Sequence, residues 1–191
     1  MAKRKKCIVC VGPSGSGKTT IIKAIMKKQA EGVKFPTGDQ YKEVLAMTDK
    51  ETRLDGYIHA TREGFTRMIA NNELIEYTCY SGHYYGVPKS SIESLGDFVG
   101  LKAMDIVGAK SFKRIYGDDV TVIFFYRKTS DLIASIMERD VPDAEKHSRI
   151  SQLEDEQKNR FCEEIDGVLK VDEGDIDATI CRFMHLLEAV K

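Results

Sequence analysis

Gly12-Pro13-Ser14-Gly15-Ser16-Gly17-Lys18-Thr19 fits the pattern G-x-x-x-x-G-K-[ST], and its neighbours are the ones a phosphate-binding loop requires. Upstream, Cys7-Ile8-Val9-Cys10-Val11 is apolar without a break, as expected of a strand buried on both faces of a parallel sheet. Downstream, residues 20–28 put Ile21, Ile22, Ile25 and Met26 on one helical face and lysines on the other. In that setting the glycines let backbone N–H groups converge on phosphate oxygens, and the helix N-terminus adds its partial positive charge. The loop together with Thr20 is therefore the expected cradle for the phosphates of a nucleotide. Lys18 is placed to neutralise the β- and γ-phosphates, and the Thr19 hydroxyl to ligate Mg²⁺.

The chain has 191 residues, 42% hydrophobic and 31% charged, enough for one sizeable core. A net charge of −1 argues against a general nucleic-acid binder, whereas a mononucleotide needs only a local cationic pocket. The cysteines, at 7, 10, 79, 162 and 181, are odd in number and scattered; they suit a reducing cytoplasm rather than a disulfide framework. Cys7 and Cys10 form C-x-x-C, but at that spacing on a strand they point to opposite faces and read as buried thiols rather than metal ligands. The apolar run after Lys3-Arg4-Lys5-Lys6 is too short for an export signal, and no run approaches the roughly 20 residues of a membrane span. The expectation is a cytoplasmic monomer or homodimer acting on a small molecule, without nucleic-acid or membrane partners.

Along the chain, strand and helix signals alternate, which predicts an α/β fold with a parallel sheet flanked by helices. Val120-Thr121-Val122-Ile123-Phe124-Phe125-Tyr126, β-branched and aromatic throughout, reads as a central strand. Residues 98–107 read as another strand, and Gly108 as its end, with a short helix after it. Residues 41–60 look too polar for a core element, Thr61 opens a helix, and Leu74 to Val87 reads as a hairpin. Ser130 is placed to cap a helix, and 147–164 reads as a charged helix. The core is assigned to 1–37, 96–127 and 151–191. Segments 38–95 and 128–150 interrupt the alternation, as a substrate module and a lid would.

Several stretches together resemble the guanylate kinase family along nearly the whole chain: the loop 12–19, Ile69-Ala70-Asn71-Asn72-Glu73-Leu74-Ile75-Glu76, Ser81-Gly82-His83-Tyr84-Tyr85-Gly86 and Asp105-Ile106-Val107-Gly108-Ala109. The resemblance implies a P-loop three-layer fold with an inserted nucleoside-monophosphate-binding subdomain and a lid. It also implies that Thr48-Asp49-Lys50-Glu51-Thr52-Arg53 stands where the family has T-T-R-x-x-R, so that Lys50 and Arg53 bind the phosphate of GMP. Tyr57 and Tyr85 match two tyrosines that reach the same phosphate. Glu76 and Asp105 match carboxylates that accept from the guanine edge, a suitable task because N1–H and the N2 amino group are donors. Arg139 and Arg149 match lid arginines over the transferring phosphoryl group. The chain departs from the family at Lys50, which lacks the planar fork of arginine, and at Ser135, where another arginine usually stands. Ala46 and Val87 remove two hydroxyl contacts to the base.

The implied reaction is MgATP plus GMP, or dGMP, giving ADP plus GDP or dGDP by in-line transfer catalysed by Lys18, Arg139 and Arg149. Other readings stay open: another nucleoside monophosphate or a sugar phosphate as acceptor, a non-catalytic interaction domain, or a GTPase switch. The last draws on Asp105-Ile106-Val107-Gly108 as D-x-x-G, but the chain contains no N-K-x-D segment.

Overall fold

A computed structural model describes residues 6–51, 56–80, 82–172 and 174–190. The strand before the loop, β1 (Cys7–Val11), is buried at every position. It is followed by α1 (Lys18–Ala30), β2 (Tyr41–Glu43), β3 (Ala46–Thr48), β4 (Tyr57–His59), α2 (Arg62–Ala70), β5 (Leu74–Tyr80), β6 (His83–Pro88) and α3 (Lys89–Glu93). The second half contains β7 (Val99–Ala103), α4 (Ile106–Tyr116), β8 (Val120–Tyr126), α5 (Thr129–Met137), α6 (Asp143–Lys158), β9 (Gly167–Lys170) and α7 (Ile176–Ala189).

Among the described residues, β2-β7-β1-β8-β9 form one parallel sheet with β1 at its centre. Because side chains alternate along a strand, β1 serves two cores. Ile8 and Cys10 face α1 and α7, meeting Ile21, Ile22, Ile25 and Phe183, while Cys7, Val9 and Val11 face α4 through Ala109 and Phe112. The C-x-x-C thiols thus lie on opposite faces, and burial pushes Cys7 up to about 12 and Cys10 upward as well. Each fully buried isoleucine of α1 contributes about 1.5–3 kcal/mol of transfer free energy, which fixes the helix start beneath the loop.

The remaining strands form a second sheet in the order β4-β3-β6-β5. Its β5–β6 hairpin is antiparallel, and Ala46, Ile75 and Val87 bury against the α4 side of the main core. Several boundaries differ from the sequence reading. Tyr41–Glu43 pairs with β7 in the parallel sheet, although 41–60 looked too polar for the core; Tyr41 and Val44 are in fact buried, while Lys42 between them is exposed and Glu43 half-buried. The strand expected over 98–107 stops at Ala103, because Asp105 accepts a hydrogen bond from Gly108 N at 2.8 Å and caps α4.

Segment 128–150, expected to form a lid, contains α5 and the first half of α6, which runs on through 150 to Lys158. No breaker stands at 150, and Leu153 packs with Leu132, Ile136 and Ile150 in a small satellite cluster. α6 begins at Asp143 rather than 147, and α5 is not capped by Ser130, whose hydroxyl instead donates to Asp131 at 2.9 Å.

Candidate active site

The loop turns through Gly12, Gly15 and Gly17, all with positive φ. A Cβ on Gly12 would sit 2.6 Å from the Phe125 carbonyl, so only glycine fits against β8. Gly17 directly precedes α1 at φ +88, leaving the helix N-terminus open towards the loop. Lys18 Nζ lies within the turn, donating to Gly12 O at 2.6 Å, Pro13 O at 2.8 Å and Ser16 Oγ at 3.2 Å. Burial lowers its pKa to about 8; Glu156 and Cys10 oppose that shift, while Arg139 and Arg149 add to it. An entering polyphosphate would reverse this crowding of positive charge and favour the protonated amine. Thr19 and Thr20 are exposed at the start of α1.

Opposite the loop, a cleft of about 500 Å³ is lined by Arg127, Ser135, Arg139, Arg149 and Glu156 as well as the loop residues. Arg149 donates from Nη1 to Ser14 Oγ at 2.9 Å, and its Nε and Nη2 hold Glu145 Oε1 at 3.0 and 2.6 Å. α6 thereby reaches across to the loop. Burial and neighbouring Arg149 both lower the pKa of Arg139. Arg127 was not singled out in the sequence. It follows the last residue of β8, at the carboxyl end of a parallel strand where open α/β sheets place ligands, and that position was the available signal. Its Nη1 donates to Gly15 O at 3.1 Å and Ser135 Oγ at 2.8 Å, and its carbonyl accepts from Gln157 at 2.6 Å. Glu156, also unforeseen, accepts from Ser14 N at 3.3 Å.

A second pocket of about 210 Å³ gathers Tyr57, Glu76, Tyr85, Lys102 and Asp105, with Ala46 and Thr78 also on its wall. Tyr57 and Tyr85 meet edge to face at 5.8 Å. Burial raises Glu76 to about 7; Asp105 pushes in the same direction and Lys102 against it. Met104 and Asp105 line both pockets, so the two adjoin at the carboxyl end of β7. Asp105 spends Oδ1 on the α4 cap, which also explains its D-x-x-G spacing in local terms.

Lys50 lines a different depression, with Asp49, Glu51, Arg62 and His83, and Arg53 lies outside the described residues. In that depression burial works against the charge of Asp49, but hydrogen bonds from Tyr84 N at 2.7 Å and Arg62 at 2.9 Å hold its carboxyl below the usual range. Arg62 also covers the Tyr84 ring at 4.5 Å, tying β3, α2 and β6 together. The thiols and carboxylates among the described residues form no cluster able to hold a metal by themselves, and no helix there is long and apolar enough to cross a membrane. A metal ion at the loop would therefore rest on the Thr19 hydroxyl and on oxygens of a bound nucleotide, a donor set that fits Mg²⁺.

The chain is similar to guanylate kinases by sequence and by structure. The guanylate kinase of Prochlorococcus marinus (strain MIT 9312) is 28% identical over 145 residues, covering 73% of this chain and 74% of the relative. That of Lactococcus lactis subsp. lactis (strain IL1403) is 26% identical over 214 aligned positions that span the whole of both chains. The crystal structure of guanylate kinase from Anaplasma phagocytophilum shares the fold at a TM-score of 0.64 and 20% identity, covering 99% of this chain and 87% of the other. The family model for guanylate kinase matches residues 4–190, nearly the whole chain, and the chain belongs to the guanylate kinase family.

Proposed function

We infer that the chain transfers the γ-phosphoryl group of MgATP to GMP or dGMP. The observation that carries this reading is the junction at Met104 and Asp105, where a cationic phosphate cleft opens directly onto a carboxylate-lined pocket of nucleobase size. The residues of 38–95 outside β2 serve as the acceptor module, and α5 with the start of α6 serves as the lid.

An oxygen of the acceptor phosphate attacks the γ-phosphorus in line; its new P–O bond replaces the bond to ADP, which leaves. That oxygen is already anionic near neutral pH, so no general base is assigned. Lys18 neutralises charge on the transferring group, Arg139 and Arg149 hold it from the lid side, and the loop amides fix its orientation. Mg²⁺, held by Thr19, would supply further charge withdrawal from the phosphate oxygens. Closure of the lid excludes water and limits hydrolysis of ATP. Tyr57 and Tyr85 face the acceptor, with Glu76 and Asp105 accepting from its base. Arg53 and Lys50 are assigned to its phosphate, which for Lys50 requires movement from its present depression. That distance, and the missing hydroxyls at Ala46 and Val87, favour a second reading in which acceptors beyond GMP share the site.

A coupled ADP-release assay across the common nucleoside and deoxynucleoside monophosphates tests both readings. GMP or dGMP is expected to give the highest kcat/KM, and Lys18→Ala to lose more than nine-tenths of turnover, as a role worth several kcal/mol demands. AMP or a pyrimidine nucleotide as the best acceptor would overturn the guanine assignment.

A further inference from the structure

Lys102 sits where an apolar residue is expected, in the strand Val-Gly-Leu-Lys-Ala, and only 9% of it is exposed. It pairs in register with Val9, which places it on the sheet face that turns towards α4 and the second sheet. Its Nζ stands 5.7 Å from the centre of the Tyr57 ring, in the wall of the acceptor pocket. Burial pushes its pKa down against the pull of Glu43 and Glu76. Burying an ammonium in a strand is costly, and nothing in the packing of the sheet requires one here.

We propose that Lys102 determines base specificity, donating to the ring carbonyl of the acceptor base while Glu76 accepts from the adjacent ring N–H. This rests on the kinase reading above. Guanine presents a carbonyl beside a ring N–H, and hypoxanthine, uracil and thymine share that edge. Adenine and cytosine present the reverse, an amino donor beside a ring acceptor, so both the ammonium and the carboxylate would face the wrong partner. Asp105 adds an acceptor that only the 2-amino group of guanine can use. Tyr57, Thr78 and Tyr85 bring hydroxyls to the pocket, but Lys102 brings a positive charge to it, and Ala46 offers only a methyl group. The predicted order is GMP, then IMP, with AMP and CMP far behind.

The test compares kcat/KM for GMP and 6-thio-GMP, which keeps the ring N–H and amino group but replaces the carbonyl oxygen by a weakly accepting sulfur. The wild-type chain should prefer GMP about tenfold or more. In Lys102→Met the preference should collapse towards one with the KM for ATP unchanged, and Lys102→Arg should retain it. Lys102→Gln, a neutral donor, provides the measurement should methionine prevent folding, and its preference must fall below that of the wild type. A folded variant with an undiminished preference overturns the role of Lys102 while leaving GMP phosphorylation standing. Failure of the wild type to phosphorylate any monophosphate overturns the kinase reading, and this inference with it.

Discussion

Glu76, proposed above to accept from the guanine edge, also carries a cost in stability. Its carboxyl is raised from about 4.5 to about 7, mainly by burial and then by Asp105, so the folded state holds the proton more tightly than the unfolded state does. The stabilisation from that proton is complete below about pH 4.5 and is lost as pH rises through about 7. Above that window the ionised carboxylate is a liability, which guanine binding offsets under the proposed assignment. Glu76→Gln should therefore raise unfolding free energy at pH 8 by about 1–3 kcal/mol, a gain that disappears towards pH 4.5. Denaturant titrations at the two pH values check this, and a loss of stability at pH 8 would contradict it. The wild-type kcat/KM for GMP should also decline below about pH 7. At this scale the sequence disclosed residues inside contiguous motifs, such as Lys18, Glu76, Tyr85 and Asp105. It did not disclose Lys102, Arg127, Glu156 or Arg62, whose neighbours come from distant segments brought together only by the fold.

Among the elements, α5 and α6 are joined to each other through a small core of their own. Only Leu132, Ile136 and Leu153, with Ile150 against them, form their shared core, whereas the two clusters flanking the main sheet are far larger. Such a cluster suits a segment that opens and closes. Leu153→Ala should cost about 2–5 kcal/mol at that site and lower the local opening energy rather than the global one. Amide hydrogen exchange should accelerate at least about tenfold in α5 and α6 while β1 and β8 keep their protection. Equal acceleration in all four elements would show the pair to be part of the main cooperative unit. Most elements were legible because their periodicity or composition was strong, as in β1, α1 and β8. β2 was not, since three residues are too few to show a period, and its place is set by pairing with β7. The end of β7 was misread because the apolar pattern continues into α4 as Ile106 and Val107, and only the cap made by Asp105 separates strand from helix.

The whole molecule sets two chemically different pockets side by side at the carboxyl edge of one parallel sheet. β1 delivers the loop, β8 delivers Arg127, and β7 delivers Lys102 to the second pocket and Met104 and Asp105, just beyond its end, to the junction. Sequence reading reached the phosphate half through a local motif and the base half through family resemblance, but their adjacency is a property of strand order. The central claim is that phosphoryl groups cross that junction. It is tested most directly by incubating the chain with Mg²⁺, γ-labelled ATP and GMP, then separating the products. The account predicts label in GDP in equal amount to the ADP formed. Label released mainly as inorganic phosphate, with GMP unchanged, would contradict it.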